Sequence, residues 1–353
     1  MKRNMLAKKL TAVFLTGAMA LSMGGMNAFA AGDGINSIEL KKTVTTDGDT
    51  FAPATTFTFN VSPADGGTIN GNTVYRGIDN GLTPSADNNF TFAPEGENPE
   101  ASYEKLGAID VNSGLFKTPG IYHYTVNEVI PEEKYEGIDY DEKTYDLYVY
   151  VIDDNGKIEV AGVATEVAGA DEEEGFGKAT NIEFINDYGK EEENDSTHDV
   201  KITKEVSGNQ GDKTKDFTFW LDVKGDAGEW YKVVKTSQEG TQSVSHLVSG
   251  ADPVSYTLKN GESIQIFGLS ASDTYTVTED DYSSDGYKTT IDDADTRTKT
   301  DNVSVDGTVI TVENNKNVTT PTGIAMTFAP YAVMVVFAGV FAVMFLRKKR
   351  EDF

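Results

Sequence analysis

The 353-residue chain contains no cysteine, which excludes disulfide bonds, thiol chemistry and cysteine-based zinc sites. It has only three histidines, and these are scattered, so a histidine-based metal cluster is not expected. Basic residues are also scarce, because 30 Lys and Arg stand against 57 Asp and Glu, giving a net charge of −27. A chain this acidic is not expected to bind nucleic acid or an anionic membrane surface through charge.

Both ends of the chain carry signals for export and retention. Residues 1–30 have a basic start, an apolar stretch and a small-x-small site before Ala31, which is typical of a cleaved signal peptide. Residues 326–346 are almost wholly apolar and long enough for a transmembrane helix, and a basic tail follows from Arg347. The chain is therefore predicted to be exported and held by its tail, without the disulfides that usually stabilise secreted proteins.

The region between the two ends is typical of β-structure throughout. Short β-rich runs such as FTFNV (57–61) and YDLYVYVI (145–152) recur along it, with Asn-Gly turn signals between such runs. A long amphipathic helix is not found outside the tail. Short strands with frequent turns predict an all-β fold of immunoglobulin-like sandwiches, and the length corresponds to about two domains.

A polar, charged segment without apolar periodicity is predicted to link these two domains. The segments on either side of it begin alike, because IELKKTV (38–44) and VKITKEV (200–206) both precede a Phe-Thr-Phe strand. We therefore expect a tandem repeat. The predicted organisation is a signal peptide at 1–30, an N-terminal domain at 31–188, a linker at 189–199, a C-terminal domain at 200–317 and a C-terminal signal region at 318–353.

Each predicted domain places a lysine, a glutamate and an asparagine in phase with apolar residues of a strand, where side chains repeat every second residue. An isolated buried ion pair stabilises a protein little, because desolvation of the two charges offsets their attraction. Two triads with the same residue types in the same order favour a chemical role instead. The triads are Lys42, Glu128 and Asn186 in the first domain and Lys204, Glu279 and Asn314 in the second.

The chemistry expected of such a triad follows from desolvation. Burial lowers the pKa of a lysine and raises that of a glutamate, so both groups tend to be neutral. A neutral amine is a nucleophile, and a protonated glutamate can donate to the asparagine carbonyl and shuttle protons to the departing nitrogen. The predicted product is an isopeptide bond between Lys Nζ and Asn Cγ with loss of ammonia. Because each site turns over once, the chain is not predicted to be an enzyme.

These segments resemble the backbone pilins of streptococcal type. The resemblance is carried by IELKKTV, GIYHYTVNE and IEFIN in the first half and by VKITKEVSG, YTVTEDDY and VEN in the second. It implies two Ig-like domains of CnaB type, each with a self-formed Lys–Asn bond and a catalytic glutamate. Val312 stands where the family usually has an aromatic residue before the bonding asparagine, so Asn315 remains an alternative to Asn314.

The segment VTTPTG ahead of the apolar tail resembles a sortase sorting signal, which is cleaved between Thr322 and Gly323. It lacks the leucine of the common form, and Pro321 abuts Thr322, a variant that pilins share and that points to a pilus-specific sortase. The resemblance also implies an acceptor lysine just ahead of the asparagine-bearing strand of the first domain. Lys178 fits this position, and Lys190 in the predicted linker is the alternative.

The resemblance as a whole implies the shaft subunit of a covalent pilus on a Gram-positive cell. Its partners would be identical subunits, minor pilins, the sortase and the peptidoglycan. Two alternatives stay open: a wall-anchored monomeric adhesin that binds a host or partner ligand, and a minor or basal pilin. Acidic turns could touch calcium, but none has the spacing of a dedicated loop, so no metal or other cofactor is expected.

Overall fold

The computed structural model describes residues 35–69, 72–168, 182–189, 198–270, 272–304, 307–318 and 331–344. The predicted signal peptide and most of the predicted linker lie outside these residues. Strands dominate the described part of the chain, and its short helical elements are 3-10 turns at Ser113–Leu115 and Ser283–Asp285 and a helix at 331–344. The prediction of a mostly β protein is confirmed.

The first half of the chain forms two sheets. One has the strand order β5-β6-β1-β11-β8, and the other has the order β10-β9-β7-β4-β3, with β2 paired to β7. The strands are β1 (Ser37–Thr45), β2 (Phe59–Pro63), β3 (Gly67–Ile69), β4 (Asn72–Arg76), β5 (Leu82–Pro84), β6 (Ser102–Val111), β7 (Gly120–Glu128), β8 (Ile138–Asp139), β9 (Thr144–Asp154), β10 (Lys157–Val167) and β11 (Ile182–Tyr188).

The second half repeats this plan with a further pair of sheets. Their strand orders are β15-β14-β17-β12-β21-β19 and β16-β13-β18-β20. The strands are β12 (His198–Ser207), β13 (Phe217–Lys224), β14 (Trp230–Thr236), β15 (Gln242–Val248), β16 (Val254–Leu258), β17 (Ser263–Leu269), β18 (Thr274–Glu279), β19 (Lys288–Ile291), β20 (Thr298–Asn302) and β21 (Thr308–Asn315).

Each half has its own apolar core. The buried residues of one cluster fall between Ile35 and Tyr188, and those of the other between Val200 and Val312. Strand β13 illustrates the cause, because its Phe217, Phe219, Leu221 and Val223 are buried while the residues between them are not. This alternation is the two-residue period of a strand with one face toward a core.

The first and last strands of each half are parallel neighbours. Strand β1 pairs with β11 so that Lys42 lies opposite Phe184, and Asn186 lies one in-phase step further along, opposite Val44. Strand β12 pairs with β21 in the same register, because Lys204 lies opposite Val312 and Asn314 lies opposite Val206. The lysine and the asparagine of each half are therefore diagonal neighbours on one face of one sheet.

The two halves also touch each other. The Phe51 ring packs edge-on against Trp230, with the ring centroids 5.6 Å apart. The Tyr188 hydroxyl, at the end of β11, donates to Glu229 Oε1 at 2.7 Å, and Glu229 is buried. Lys232 pairs with Asp49 at 2.6 Å. The contact thus combines apolar packing with hydrogen bonds to a buried carboxyl group.

Near the C-terminus, residues 331–344 form a helix. Within the residues that the structure describes, no helix is both long and apolar enough to cross a membrane. The predicted span at 326–346 begins and ends outside the described residues, so it remains a prediction.

Candidate cross-linking sites

The structure brings each predicted triad together inside its core. The lysine comes from the first strand of the half, the asparagine from the parallel last strand, and the glutamate from the end of a strand in the facing sheet. Glu128 ends β7 and lies opposite Phe59 of β2, and Glu279 ends β18 and lies opposite Phe219 of β13. All six side chains are buried. The glutamate therefore reaches across the core toward a lysine and an asparagine of the other sheet.

In the first site, Glu128 bridges the other two groups. Lys42 Nζ donates to Glu128 Oε2 at 2.8 Å, and Asn186 Nδ2 donates to Glu128 Oε1 at 2.7 Å. One carboxyl oxygen thus faces the amine and the other faces the amide nitrogen. The Phe57 ring lies 4.5 Å from Lys42 Nζ and provides an apolar wall on that side. This arrangement allows one carboxyl group to exchange protons with both nitrogens.

The orientation of the Asn186 amide is set by a main-chain donor. The Asp141 N–H donates to Asn186 Oδ1 at 2.8 Å, and an N–H can only donate, so Nδ2 must face Glu128. The expectation that the glutamate would donate to the asparagine carbonyl is wrong for this geometry, since the carboxyl contacts the nitrogen. The Asp141 side chain holds its own loop in place, because Oδ2 accepts from the Ile185 N–H and Oδ1 from the Lys143 N–H, each at 2.9 Å.

The second site contains the same three groups with different contacts. Lys204 Nζ donates to Asn314 Oδ1 and lies 3.5 Å from Glu279 Oε1. Asn314 Nδ2 donates to Glu279 Oε2 at 3.0 Å and to the Thr289 hydroxyl at 3.0 Å, and that hydroxyl donates to Glu279 Oε2 at 2.9 Å. Here too the carboxyl contacts the amide nitrogen. Oε1 of Glu279 is buried and has no hydrogen-bond partner among the described residues.

The choice between Asn314 and Asn315 follows from the strand phase of β21. Asn314 is fully buried and contacts both Lys204 and Glu279. Asn315 is only partly buried, and its Nδ2 donates to the Ser207 hydroxyl at 2.6 Å. The geometry therefore favours Asn314 as the partner of Lys204, although Val312 replaces the usual aromatic residue.

In both sites, desolvation shifts the pKa of the lysine and of the glutamate in the direction that favours the uncharged form of each group. Burial lowers the pKa of Lys42 and raises the pKa of Glu128, although the attraction between the two groups opposes both shifts. Burial lowers the pKa of Lys204 to about 8 and raises the pKa of Glu279, again against their mutual attraction. A neutral amine and a neutral acid are the forms that nucleophilic attack and proton donation require.

Sequence reasoning missed the residues that complete the two sites. Asp141 follows β8 and Thr289 lies on β19, and both strands pair with the asparagine-bearing strand at the edge of the sheet. Thr289 could have been found, because it alternates in phase with the buried Ile291. Asp141 acts through its main-chain N–H, and residue type does not predict such a contact.

The remaining predicted functional residues lie outside the described part of the chain. These are the acceptor candidates Lys178 and Lys190 and the sorting-signal residues Pro321, Thr322 and Gly323. Within the described part, no group of three or more histidine, aspartate or glutamate side chains is arranged to hold a metal ion.

The fold and the sites define a mostly β protein with two main cores, each of which encloses one Lys–Glu–Asn cluster. A family model described as a Spy0128-like isopeptide containing domain matches residues 38–189. A model for a domain of unknown function matches residues 198–316. A pilin of Streptococcus pyogenes serotype M1 is 31% identical over an aligned length of 360, and the alignment covers 97% of this chain and 99% of that relative. The chain therefore belongs to the pilin family.

Solved structures of similar proteins agree with this membership. The major pilin T3.2 of Streptococcus pyogenes serotype GAS13637 is 28% identical, and the match covers 80% of this chain and 98% of that one with a TM-score of 0.55. Another major pilin of Streptococcus pyogenes shares the fold at 24% identity, and the match covers 80% of this chain and 99% of that one with a TM-score of 0.56.

Part of the chain is also similar in sequence to a second kind of pilus protein. The pilus tip adhesin Cpa of the same species is 30% identical over 131 residues, or 36% of this chain and 18% of that protein.

Proposed function

We propose that this protein is the repeating shaft subunit of a covalent pilus on the surface of a Gram-positive bacterium. The observation that carries the proposal is the pair of buried Lys–Glu–Asn clusters, each between the first and last strands of a core. Membership of the pilin family, with similarity along nearly the whole chain, supports the shaft over a smaller accessory role. On this proposal the protein is structural, and each cluster reacts only once.

The first site can form its isopeptide bond without an outside reagent. Lys42 Nζ bonds to Asn186 Cγ, and the Cγ–Nδ2 bond breaks with its electron pair leaving on the nitrogen. Of the two protons that the ammonium gives up, one ends on Glu128 and the other on the departing ammonia, with the carboxyl accepting at Oε2 and donating at Oε1. The Asp141 N–H stabilises the charge that develops on Oδ1 during attack.

The bonds give a shaft subunit what disulfides would otherwise supply. Each joins two parallel strands at opposite ends of the sequence of one core, so a pull on the chain termini loads a covalent bond between neighbouring strands. The segment between the two bonded residues then carries no load, so pulling on the shaft does not stretch that segment out. We assign these two units to residues 31–188 and 200–317, with 189–199 as the linker, and the separate cores support this division.

Polymerisation on this proposal uses the two ends of the exported chain. After removal of the signal peptide 1–30, the predicted membrane span at 326–346 retains the subunit while a pilus sortase cleaves between Thr322 and Gly323. Thr322 is then joined to Lys178 of the next subunit, or to Lys190 if the linker supplies the acceptor. Minor pilins and the peptidoglycan complete the assembly. The family membership and the order of these segments in the sequence support this scheme.

Intact mass spectrometry tests the internal bonds. The recombinant ectodomain should be lighter than its sequence by two ammonias, and Glu128→Ala and Glu279→Ala should each restore one. Peptide mapping should place the links at Lys42–Asn186 and Lys204–Asn314. A wild-type mass equal to that of the unmodified sequence would remove the cross-linking chemistry from the proposal.

Immunoblots of wall extracts test the shaft against a monomeric adhesin. A shaft subunit gives a ladder of high-mass species, and Lys178→Ala should abolish the ladder while Lys190→Ala leaves it intact. The reverse result would move the acceptor to Lys190. The local similarity to the pilus tip adhesin makes the adhesin the second candidate. A single wall-linked band in the wild type would establish that candidate in place of the shaft.

A further inference from the structure

The second cross-linking site has a contact that the first site lacks, and it involves the nitrogen that must leave. Asn314 Nδ2 lies 3.0 Å from both Glu279 Oε2 and the Thr289 hydroxyl and donates toward this pair of oxygens. The hydroxyl in turn donates to Glu279 Oε2 at 2.9 Å. The carboxyl oxygen, the hydroxyl oxygen and the amide nitrogen thus form a closed triangle of hydrogen bonds.

In both halves of the chain, a group from the same place in the fold contacts the asparagine amide, but the group differs. In each sheet, a short edge strand pairs with the outer side of the asparagine-bearing strand. Thr289 of β19 lies directly opposite Asn314, whereas in the first half the chain leaving β8 brings the Asp141 N–H to the carbonyl oxygen of Asn186. The first site therefore has a main-chain donor on the oxygen, and the second has a side-chain hydroxyl on the nitrogen.

Thr289 also lies where the buried site meets solvent. Lys204, Glu279 and Asn314 are fully buried, so the ammonia released there has to pass a neighbouring group. Thr289 is among the residues that line a surface cleft of 330 Å³, together with Asp281 and Asp295. A polar group at this boundary can hold the departing nitrogen on its way to water.

From these contacts we propose that the Thr289 hydroxyl relays a proton to the leaving nitrogen when the second isopeptide bond forms. The inference rests on the proposed cross-linking function and adds a residue to it. Lys204 Nζ bonds to Asn314 Cγ and passes one proton to Glu279 Oε1, which lies 3.5 Å away and has no hydrogen-bond partner among the described residues. The second proton reaches Nδ2 through Thr289.

The relay works by reversal of the hydrogen bonds. The step starts from a neutral amine and from Glu279 that holds a proton on Oε2. In the tetrahedral intermediate Nδ2 has a free lone pair, so Oε2 donates its proton to the Thr289 oxygen and the Thr289 O–H donates to Nδ2, while Oε1 takes up the proton from Lys204 Nζ. The Cγ–Nδ2 bond breaks with its electron pair on the nitrogen, and neutral ammonia departs. Counted from its ammonium form, Lys204 has then lost two protons, one to ammonia and one to Glu279, so the step balances without another reagent. A hydroxyl that can both accept and donate is required for this exchange.

The test follows the rate of bond formation in freshly synthesised ectodomain, by mass spectrometry of fragments from each half. Thr289→Val should slow ammonia loss in the second half about tenfold, the factor that corresponds to one hydrogen bond of about 1.4 kcal/mol. Thr289→Ser should restore the rate, because it keeps the hydroxyl. Thr290→Val is the matched control, since Thr290 lies on the opposite face of the same strand.

The first half of the same molecule provides an internal reference, because its isopeptide bond should form at the wild-type rate in every variant. A wild-type rate in Thr289→Val, or an equally slow rate in Thr289→Ser, would overturn the relay. If the valine variant does not fold, Thr289→Ala removes the hydroxyl without added bulk, and the same comparison applies. Absence of ammonia loss from the wild type itself would instead overturn the proposed function, and the relay with it.

Discussion

Replacement of Glu128 by glutamine is the sharpest test of the coupling between the first cross-link and stability. The change keeps the size of the side chain but removes the group that faces both Lys42 Nζ and Asn186 Nδ2. Glutamine cannot take up a proton from the amine, so the bond should not form. The variant should therefore be lighter than its own sequence by one ammonia instead of two, and it should melt at a lower temperature.

The size of the effect follows from the length of chain that the bond closes. A link between Lys42 and Asn186 encloses roughly 145 residues, and loop-closure entropy for such a loop contributes about 5 kcal/mol. For a unit of this size, each kcal/mol shifts the melting temperature by about 2–4 °C, so the first unit should melt about 10–20 °C lower. Loss of the carboxylate beside a buried amine adds to this destabilisation.

Two further variants separate these contributions by calorimetry and intact mass. Asn186→Leu also prevents the bond but keeps the Lys42–Glu128 pair, so the difference between it and Glu128→Gln reports the unpaired amine. Glu104→Gln is the surface control, because Glu104 pairs with Lys41 at 2.7 Å on the outer face, where such pairs contribute about 0–1 kcal/mol. A Glu128→Gln protein that still loses two ammonias, or one that lacks the bond but melts like the wild type, would refute the reasoning.

Three other predictions concern the surroundings of the sites. Asp141→Ala frees the loop whose N–H contacts Asn186, so the first bond should form about tenfold more slowly in the mass assay while the second keeps its rate. Burial and the nearby Glu229 raise the pKa of Asp273 to about 7. Ionisation of Asp273 therefore opposes folding, so this contribution to stability is present at low pH and is lost as the pH rises toward and through 7. Asp273→Asn should flatten that part of a pH series of urea melts, and an unchanged slope would contradict it. Phe51→Ala should destabilise the protein by about 3–5 kcal/mol in urea and loosen the contact between the halves in X-ray scattering.

Much of each site follows from local sequence because a strand has a fixed period. Lys42 alternates with Ile38 and Leu40, and Asn186 alternates with Ile182 and Phe184, so both polar residues must share the buried face of an otherwise apolar strand. The same argument applies to Glu279 beyond Tyr275 and Val277. Chain order and alternation therefore predict which side chains enter each core, without knowledge of how the strands pair.

Other features depend on pairings between distant segments. Local alternation does not encode that β1 and β11 are parallel, or that the register places Asn186 one in-phase step beyond the partner of Lys42. It does not predict the rotation of the Asn186 amide, which is fixed by the Asp141 N–H from a loop more than forty positions away. Local alternation does not predict the contact of Tyr188 with Glu229 either, because this contact joins two cores that are formed by separate stretches of the chain.

The amino-acid sequence by itself thus determined the β-character and the six residues that face inward, since each depends on neighbours a few positions away. It also determined the repeat, because two similar segments can be compared directly in the sequence. Tertiary structure alone decided which oxygen and which nitrogen meet, and that Asp141 and Thr289 take part. The physical reason is that hydrogen bonds require positions accurate to a few tenths of an ångström. Only the assembled sheets bring groups from distant parts of the chain into such positions.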